Sequence, residues 1–215
     1  DSSISFIISN CLRLNYLNIS GLTQLTDTTF VPAAEIAQEM NLVKNSREYK
    51  KHVRAELTSL HIADMDYISD ASLGAIGVLF SKLKVIDVSN CSMITNLGVA
   101  KLCKFCNRLR DVNFSFCQRL THRAISYITK YCRMLETLKI SARKKTASAM
   151  KMNDKSLCLI FSRLKHLKVL DVANRQNISG NTLKKINATD LRAANFSGCL
   201  KLRPNGIVKI LLSCK

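Results

Sequence analysis

The chain has 215 residues, 47% of them hydrophobic, and carries 33 Lys and Arg against 15 Asp and Glu, for a formal net charge of +18. That apolar content excludes an intrinsically disordered chain and supplies a sizeable core, and no apolar run approaches the ~20 residues that a membrane-crossing helix needs. The charge raises nucleic acid, anionic membrane and acidic protein as partner classes, to be decided by where on the fold it sits.

Residues 1–11 read as the second half of a repeated unit: Asp1, Ile4, Ile7 and Cys11 match the later Asn96, Val99, Leu102 and Cys106. The chain is therefore expected to be a fragment of a longer array. Leu14, Leu17 and Ile19 give a first strand, Leu22 takes a position held by Cys in later units, and Thr26 precedes a helix with Phe30 inward. The register then breaks until Leu57, which makes 31–56 an insertion. Ile36, Met40 and Val43 at helical spacing, followed by the charged run from Lys44 to Arg54, fit an amphipathic helix pair there ahead of a surface loop.

From Leu57 the register runs through Leu60, Ile62, Met65, Ile68, Leu73 and Ile76 into two units that superpose without a gap. Leu83-x-x-Ile86-x-Val88-x-x-Cys91-x-x-Ile94-Thr95 becomes Leu109-x-x-Val112-x-Phe114-x-x-Cys117-x-x-Leu120-Thr121, closed by Cys106 and Cys132. Leu135, Leu138 and Ile140 start the next unit, which a second insertion at 143–151 interrupts with the basic loop Arg143, Lys144, Lys145. Leu167, Leu170, Val172, Ile178 and Leu183, then Leu191, Phe196, Cys199, Leu202 and Ile207, complete the array. The residue before each helix is Thr26, Ser69, Thr95, Thr121, Asn153 or Ser179, all able to accept from the free N–H groups of a first helical turn, and the last helix opens on Pro204.

A fixed spacing of this kind predicts a solenoid whose units bury their apolar faces against their neighbours. The expected class is α/β: a single right-handed domain over 1–215 with convex helices and a parallel concave sheet. Its strands are expected at 15–19, 58–62, 84–88, 110–114, 136–140, 168–172 and 192–196.

The pattern L-x-x-L-x-L-x-x-(N/C)-x-x-L, with Cys at its ninth position and at the helix end, resembles the cysteine-containing leucine-rich-repeat subfamily of F-box/leucine-rich-repeat proteins and antagonist-of-mitotic-exit-network proteins. That resemblance implies a protein-interaction module, the substrate-recognition repeats of an F-box-type ubiquitin ligase, with the adaptor bound by a segment outside this chain. Related repeats also serve as scaffold subunits of large assemblies such as the ciliary dynein regulatory complex, the alternative reading. Nucleic-acid binding through a basic convex surface is a third, and it is disfavoured because no groove of charge with stacking aromatics is visible.

Enzymatic chemistry has little support. Cys103-x-x-Cys106 has a metal-ligand spacing, but a zinc site takes about four ligands and Cys106 already belongs to a repeat column. Most of the nine Cys fall in two columns, Cys91, Cys117, Cys199 and Cys11, Cys106, Cys132 with Cys214, and read as buried small hydrophobes. That predicts a reducing compartment, the cytoplasm, with nucleus or cilium as alternatives. The four His (52, 61, 122 and 166) form no catalytic set, and Gly74-x-x-Gly77 fits close helix packing and no phosphate cradle. No cofactor, metal or catalytic residue is expected.

Alternation along each strand turns the residues between the buried ones to the concave face. That face would include Ser20, Ala63, Ser89, Ser115, Ser141, Ala173 and Ser197 after each strand. At one strand position stand Asn18, His61, Asp87, Asn113, Lys139, Asp171 and Asn195, a column free of apolar residues. With Tyr16 and Asp111 beside it, this column is the expected partner-binding site, slightly acidic, while the surplus Lys and Arg lie on helices and turns.

Overall fold

The computed structural model describes residues 1–11, 13–35, 56–143, 152–181 and 190–211. Most of the first insertion, the basic-loop residues Lys144 and Lys145, and Cys214 lie outside them.

Seven strands form one sheet in chain order: β1 (Tyr16–Asn18), β2 (Ser59–His61), β3 (Val85–Asp87), β4 (Asp111–Asn113), β5 (Thr137–Lys139), β6 (Val169–Asp171) and β7 (Ala193–Asn195). All pairs are parallel and in one register, with Leu60 opposite Ile86, Ile86 opposite Val112 and Val112 opposite Leu138. These central residues are fully buried. Each contributes on the order of 1.5–3 kcal/mol by leaving water, and a one-residue slip would expose the whole set. Helices follow: α1 (Ser2–Asn10), α2 (Asp70–Leu79), α3 (Asn96–Phe105), α4 (His122–Tyr131), α5 (Asp154–Arg163) and α6 (Pro204–Leu211).

The strands are three residues long where five were expected. The expected end residues still bond across, as Val88 N–H to the Asn113 carbonyl at 3.0 Å and Phe114 N–H to the Lys139 carbonyl at 2.8 Å. The chain then bends into a turn whose last residue takes positive φ at Gly21, Asp64, Asn90, Phe116, Asn174 and Gly198. That bend corrects the expectation for the residues two past each strand: Ala63, Ser115, Ser141 and Ala173 are buried under the turn.

The expected caps are in place. Ser69, Thr95 and Thr121 each accept from the N–H two residues on, at 3.2 or 3.3 Å, and Asn153 accepts from Ser156 at 3.3 Å. Thr26 caps a 3-10 turn at Asp27–Thr29 in place of the expected α-helix, with a short helical stretch at 31–35 after it.

A second column one residue later stitches unit to unit. The Asp1, Asp27, Asp70 and Asp154 carboxylates reach the next unit's cap and accept from both its backbone N–H and its hydroxyl. Asp70 takes Thr95 at 2.7 and 2.5 Å, and Asp154 takes Ser179 at 2.8 and 2.7 Å. Asn96 does the same for Thr121, accepting at 2.9 Å and donating at 3.0 Å. Burial works to raise the Asp27 carboxyl, but hydrogen bonds from Ser69 and Ser72 outweigh it and hold the group below its ordinary value.

The Cys columns have a shared chemical reason. Cys91, Cys117 and Cys199 thiols donate to the Ile62, Val88 and Val172 carbonyls of the preceding unit at 3.1–3.3 Å. Arg175 takes the same place in its unit, Nε donating to the Ile140 carbonyl at 2.7 Å. Burial lowers its pKa to about 10. Burial likewise pushes the Cys91, Cys106 and Cys117 thiols up to about 12. Leu22 and Cys11, expected inside, are exposed: both columns pack backward on the preceding unit, and no preceding strand covers this first one among the described residues.

Candidate partner-binding face

At the third strand position the column divides in two. Asn18, Asp87, Asn113, Asp171 and Asn195 each accept from the backbone N–H two residues on, at 2.8–3.0 Å. This is the local turn closure that short Asn and Asp side chains make. His61 and Lys139 make no such bond. The N–H groups they leave, on Ala63 and Ser141, are taken by the Ser20 and Ser115 hydroxyls of the preceding units at 3.0 and 3.2 Å. The fold thus dispenses with an Asx residue at these two positions by supplying a serine from next door.

Around them sits a charged cluster. The His61 Nε2 is 3.1 Å from the Ser59 hydroxyl, and its ring lies 5.3 Å from that of Tyr16, tilted by 44°. Tyr16 is 53% exposed. Asp111, in the first position of β4, is half-buried. Burial raises its carboxyl, the Lys139 and His61 charges oppose that rise, and Asp87 adds to it. Asp87 also accepts from Asn113 Nδ2 at 3.0 Å. The structure therefore brings Tyr16, His61, Asp87, Asp111, Asn113 and Lys139 together across β1 to β5. Asp171 stands directly opposite Lys139 on β6 and also holds the Ser141 hydroxyl, and Asn195 lies one strand beyond it.

Arg143 of the basic loop extends its guanidinium to Asn90 Oδ1 at 2.5 Å, and Asn90 in turn donates to Asp64 at 2.7 Å. Arg143 thereby bridges the unit that carries Phe116, a residue the sequence reading passed over. Phe116 holds φ 66°, where the other positive-φ residues at this turn position are Gly, Asp and Asn, and it is 39% exposed. A bulky side chain in that region is strained by on the order of 1–3 kcal/mol. The legible signal was an aromatic residue where the aligned positions are Gly21, Asp64, Asn90, Ala142, Asn174 and Gly198.

The remaining features are structural. Gly74 and Gly77 face Lys101 and Phe105 of α3, where an added Cβ would lie 3.1–3.2 Å from a side-chain atom, the close packing expected of them. His122 opens α4 on the surface, and His166 lies 3.9 Å from Asp190. Among the described residues no group of three His, Cys, Asp or Glu is placed to hold a metal ion, and no helix is long and apolar enough to cross a membrane. Lys101, Lys104, Arg108, Arg119, Arg123, Lys130 and Arg133 are exposed off the concave face. The arrangement is a polar face across β1 to β5, with the exposed Tyr16 on its first strand.

Among curated proteins none matches the sequence. Among solved structures, a chain from the crystal structure of the Rad7 and Elc1 complex in yeast is similar at 13% identity, over 99% of this chain and 72% of that one, with a TM-score of 0.35. The family model described as Zer-1-like, leucine-rich repeats matches residues 75–199. That span covers more than half of the sequence, and by it the chain belongs to the Zer-1-like leucine-rich-repeat family.

Proposed function

We propose that this chain is the protein-binding repeat array of a ubiquitin-ligase substrate receptor, holding a segment of its substrate on the concave face around His61, Asp111 and Lys139. One observation carries the choice of site. Five residues of the column spend their side-chain oxygen on the turn that follows, and His61 and Lys139 alone are released from that work, flanking a half-buried carboxylate. Membership of the Zer-1-like leucine-rich repeats supports the protein-binding reading, and the resemblance of the Cys-containing repeats to those of F-box/leucine-rich-repeat proteins supports the receptor reading. Adaptor contact, through an F-box or another element, is assigned to sequence outside these repeats. The chain performs no catalytic step of its own: its contribution is to hold the substrate.

The test is affinity purification of the full-length protein with quantitative proteomics. Recovery of a cullin with its adaptor, together with proteins that accumulate when the receptor is depleted, is the expected result. Recovery of axonemal proteins without any cullin would replace the receptor reading with the scaffold one.

A further inference from the structure

The positive charge is unevenly placed. On the edge where each helix hands over to the next strand stand Lys82, Lys84, Arg108, Arg110, Lys168 and Arg192, facing only Glu56, Glu136 and Asp190 among the described residues. On the opposite edge the Asp1, Asp27, Asp70 and Asp154 carboxylates are bound into the unit-to-unit stitch. The cations on the strand-entry edge fall in two rows. Lys84 and Arg110 are backbone-bonded neighbours, as are Lys168 and Arg192, through N–H to carbonyl bonds of 2.7 and 2.8 Å. Lys82 and Arg108 lie two residues earlier in the same adjacent units.

Like charges on neighbouring strands about 4.8 Å apart repel and destabilise the free protein. Glu136 relieves part of this, bonding Arg110 at 2.6 Å and Lys168 at 2.5 Å; these bonds, that to Lys168 foremost, lower its carboxyl. Glu56 pairs with Lys82 at 2.8 Å, both half-exposed. Lys84, Arg108 and Arg192 make no ion pair among the described residues and stay at the surface. The C-terminus of α3 does not require Arg108, because Lys104 already sits in its last turn, whereas α2, which leads to Lys84, has no basic residue in its last turn. Repulsion kept in place along an edge with more cations than its carboxylates pair marks a surface whose charge is used on binding.

We infer that this strand-entry edge, centred on Lys84 and Arg108, is a second interaction surface, and that its partner is an Asp- and Glu-rich protein segment. The rows contain no Phe, Tyr or Trp to stack on a base. The Glu136 carboxylate stands in the middle of one row, where a continuous phosphate backbone would meet it. Separate carboxylate side chains on a polypeptide can straddle that point and pair with the cations on either side.

The experiment uses fluorescence anisotropy of the full chain with a labelled peptide of alternating Glu and Asp, competed by single-stranded and duplex oligonucleotides of matched charge. Lys84→Glu/Arg108→Glu is expected to weaken peptide binding by about tenfold or more, while Arg119→Glu/Arg123→Glu, an equal charge change away from that edge, weakens it by less than about threefold. Should the first variant not keep the native melting transition, Lys84→Ala/Arg108→Ala replaces it, with a loss of at least about threefold expected. Equal losses in both double variants, or no loss in the alanine pair, would overturn the inference. So would an oligonucleotide that outcompetes the peptide by more than about tenfold. His61→Asn, which tests the concave site, is expected to leave peptide binding unchanged, so the two sites stand or fall separately.

Discussion

Removing the Asp70 side chain tests how the units are held together. In Asp70→Ala the Thr95 N–H loses an acceptor at 2.7 Å and the Thr95 hydroxyl one at 2.5 Å. Each bond to a charged group contributes about 1.5–3 kcal/mol when partly shielded, and a carboxylate at the start of α2 adds about 0.3–1 kcal/mol through the helix dipole. Thr95 is only partly buried, so water recovers some of this, and a net loss of about 2–4 kcal/mol is expected. Asp70→Asn is the internal control, because Asn96 already makes the equivalent pair to Thr121 at 2.9 and 3.0 Å. That variant should lose only about 1 kcal/mol. The carboxylate also accounts for Gly98, whose added Cβ would sit 2.3 Å from Asp70 Oδ1. Urea unfolding at constant m-value reads both variants. A loss below about 0.5 kcal/mol in Asp70→Ala, or identical losses in the two variants, would refute the stitch.

Acid should loosen the array through the same column. Asp27 is held below its ordinary 3.8 in the folded chain, so its contribution is complete above that value and is lost as pH falls through the lower folded one. Asp27→Asn should therefore flatten the acid limb of a stability–pH profile, and an unchanged limb would contradict the assignment. Leu109→Ala and Ile86→Ala empty fully buried sites and should each cost about 2–5 kcal/mol in the same urea assay; under about 1 kcal/mol at both would show the register to be wrong. Phe116→Gly relieves a positive φ while removing the side chain of a residue that is 39% exposed, so the melting temperature should move little while partner recovery falls. A large destabilisation with partners retained would make Phe116 a packing residue.

The register, the caps and the Cys columns were legible because each repeats a residue type at a fixed interval, and burial or capping restricts which types fit. Leu60, Ile86, Val112 and Leu138 are aligned in the sequence and paired in the sheet. The two-way split of the concave column was not legible, since Asn113 and Lys139 look equally polar on paper. Only the turn geometry shows that Asn113 closes on Ser115 while Lys139 leaves Ser141 to Ser115. The buried Ser115 and Ser141 were misread for a related reason: alternation was carried past the point where the chain stops being extended. The stitch could have been seen as Asp27, Asp70, Asn96 and Asp154 one place after each cap, but a carboxylate at a helix start reads first as a dipole partner of its own helix, and its reach to the next unit is a tertiary fact.

The central claim is that His61 and Lys139 are free of the turn-closing bond and engage the partner, and the most direct measurement is quantitative recovery of partners by His61→Asn/Lys139→Asn. Asn at both sites has the turn-closing geometry already used by Asn18, Asn113 and Asn195, so stability should hold within about 0.5 kcal/mol of the parent. The account predicts that this folded variant loses its partners by about tenfold or more. Full recovery of every partner by the same variant would contradict it.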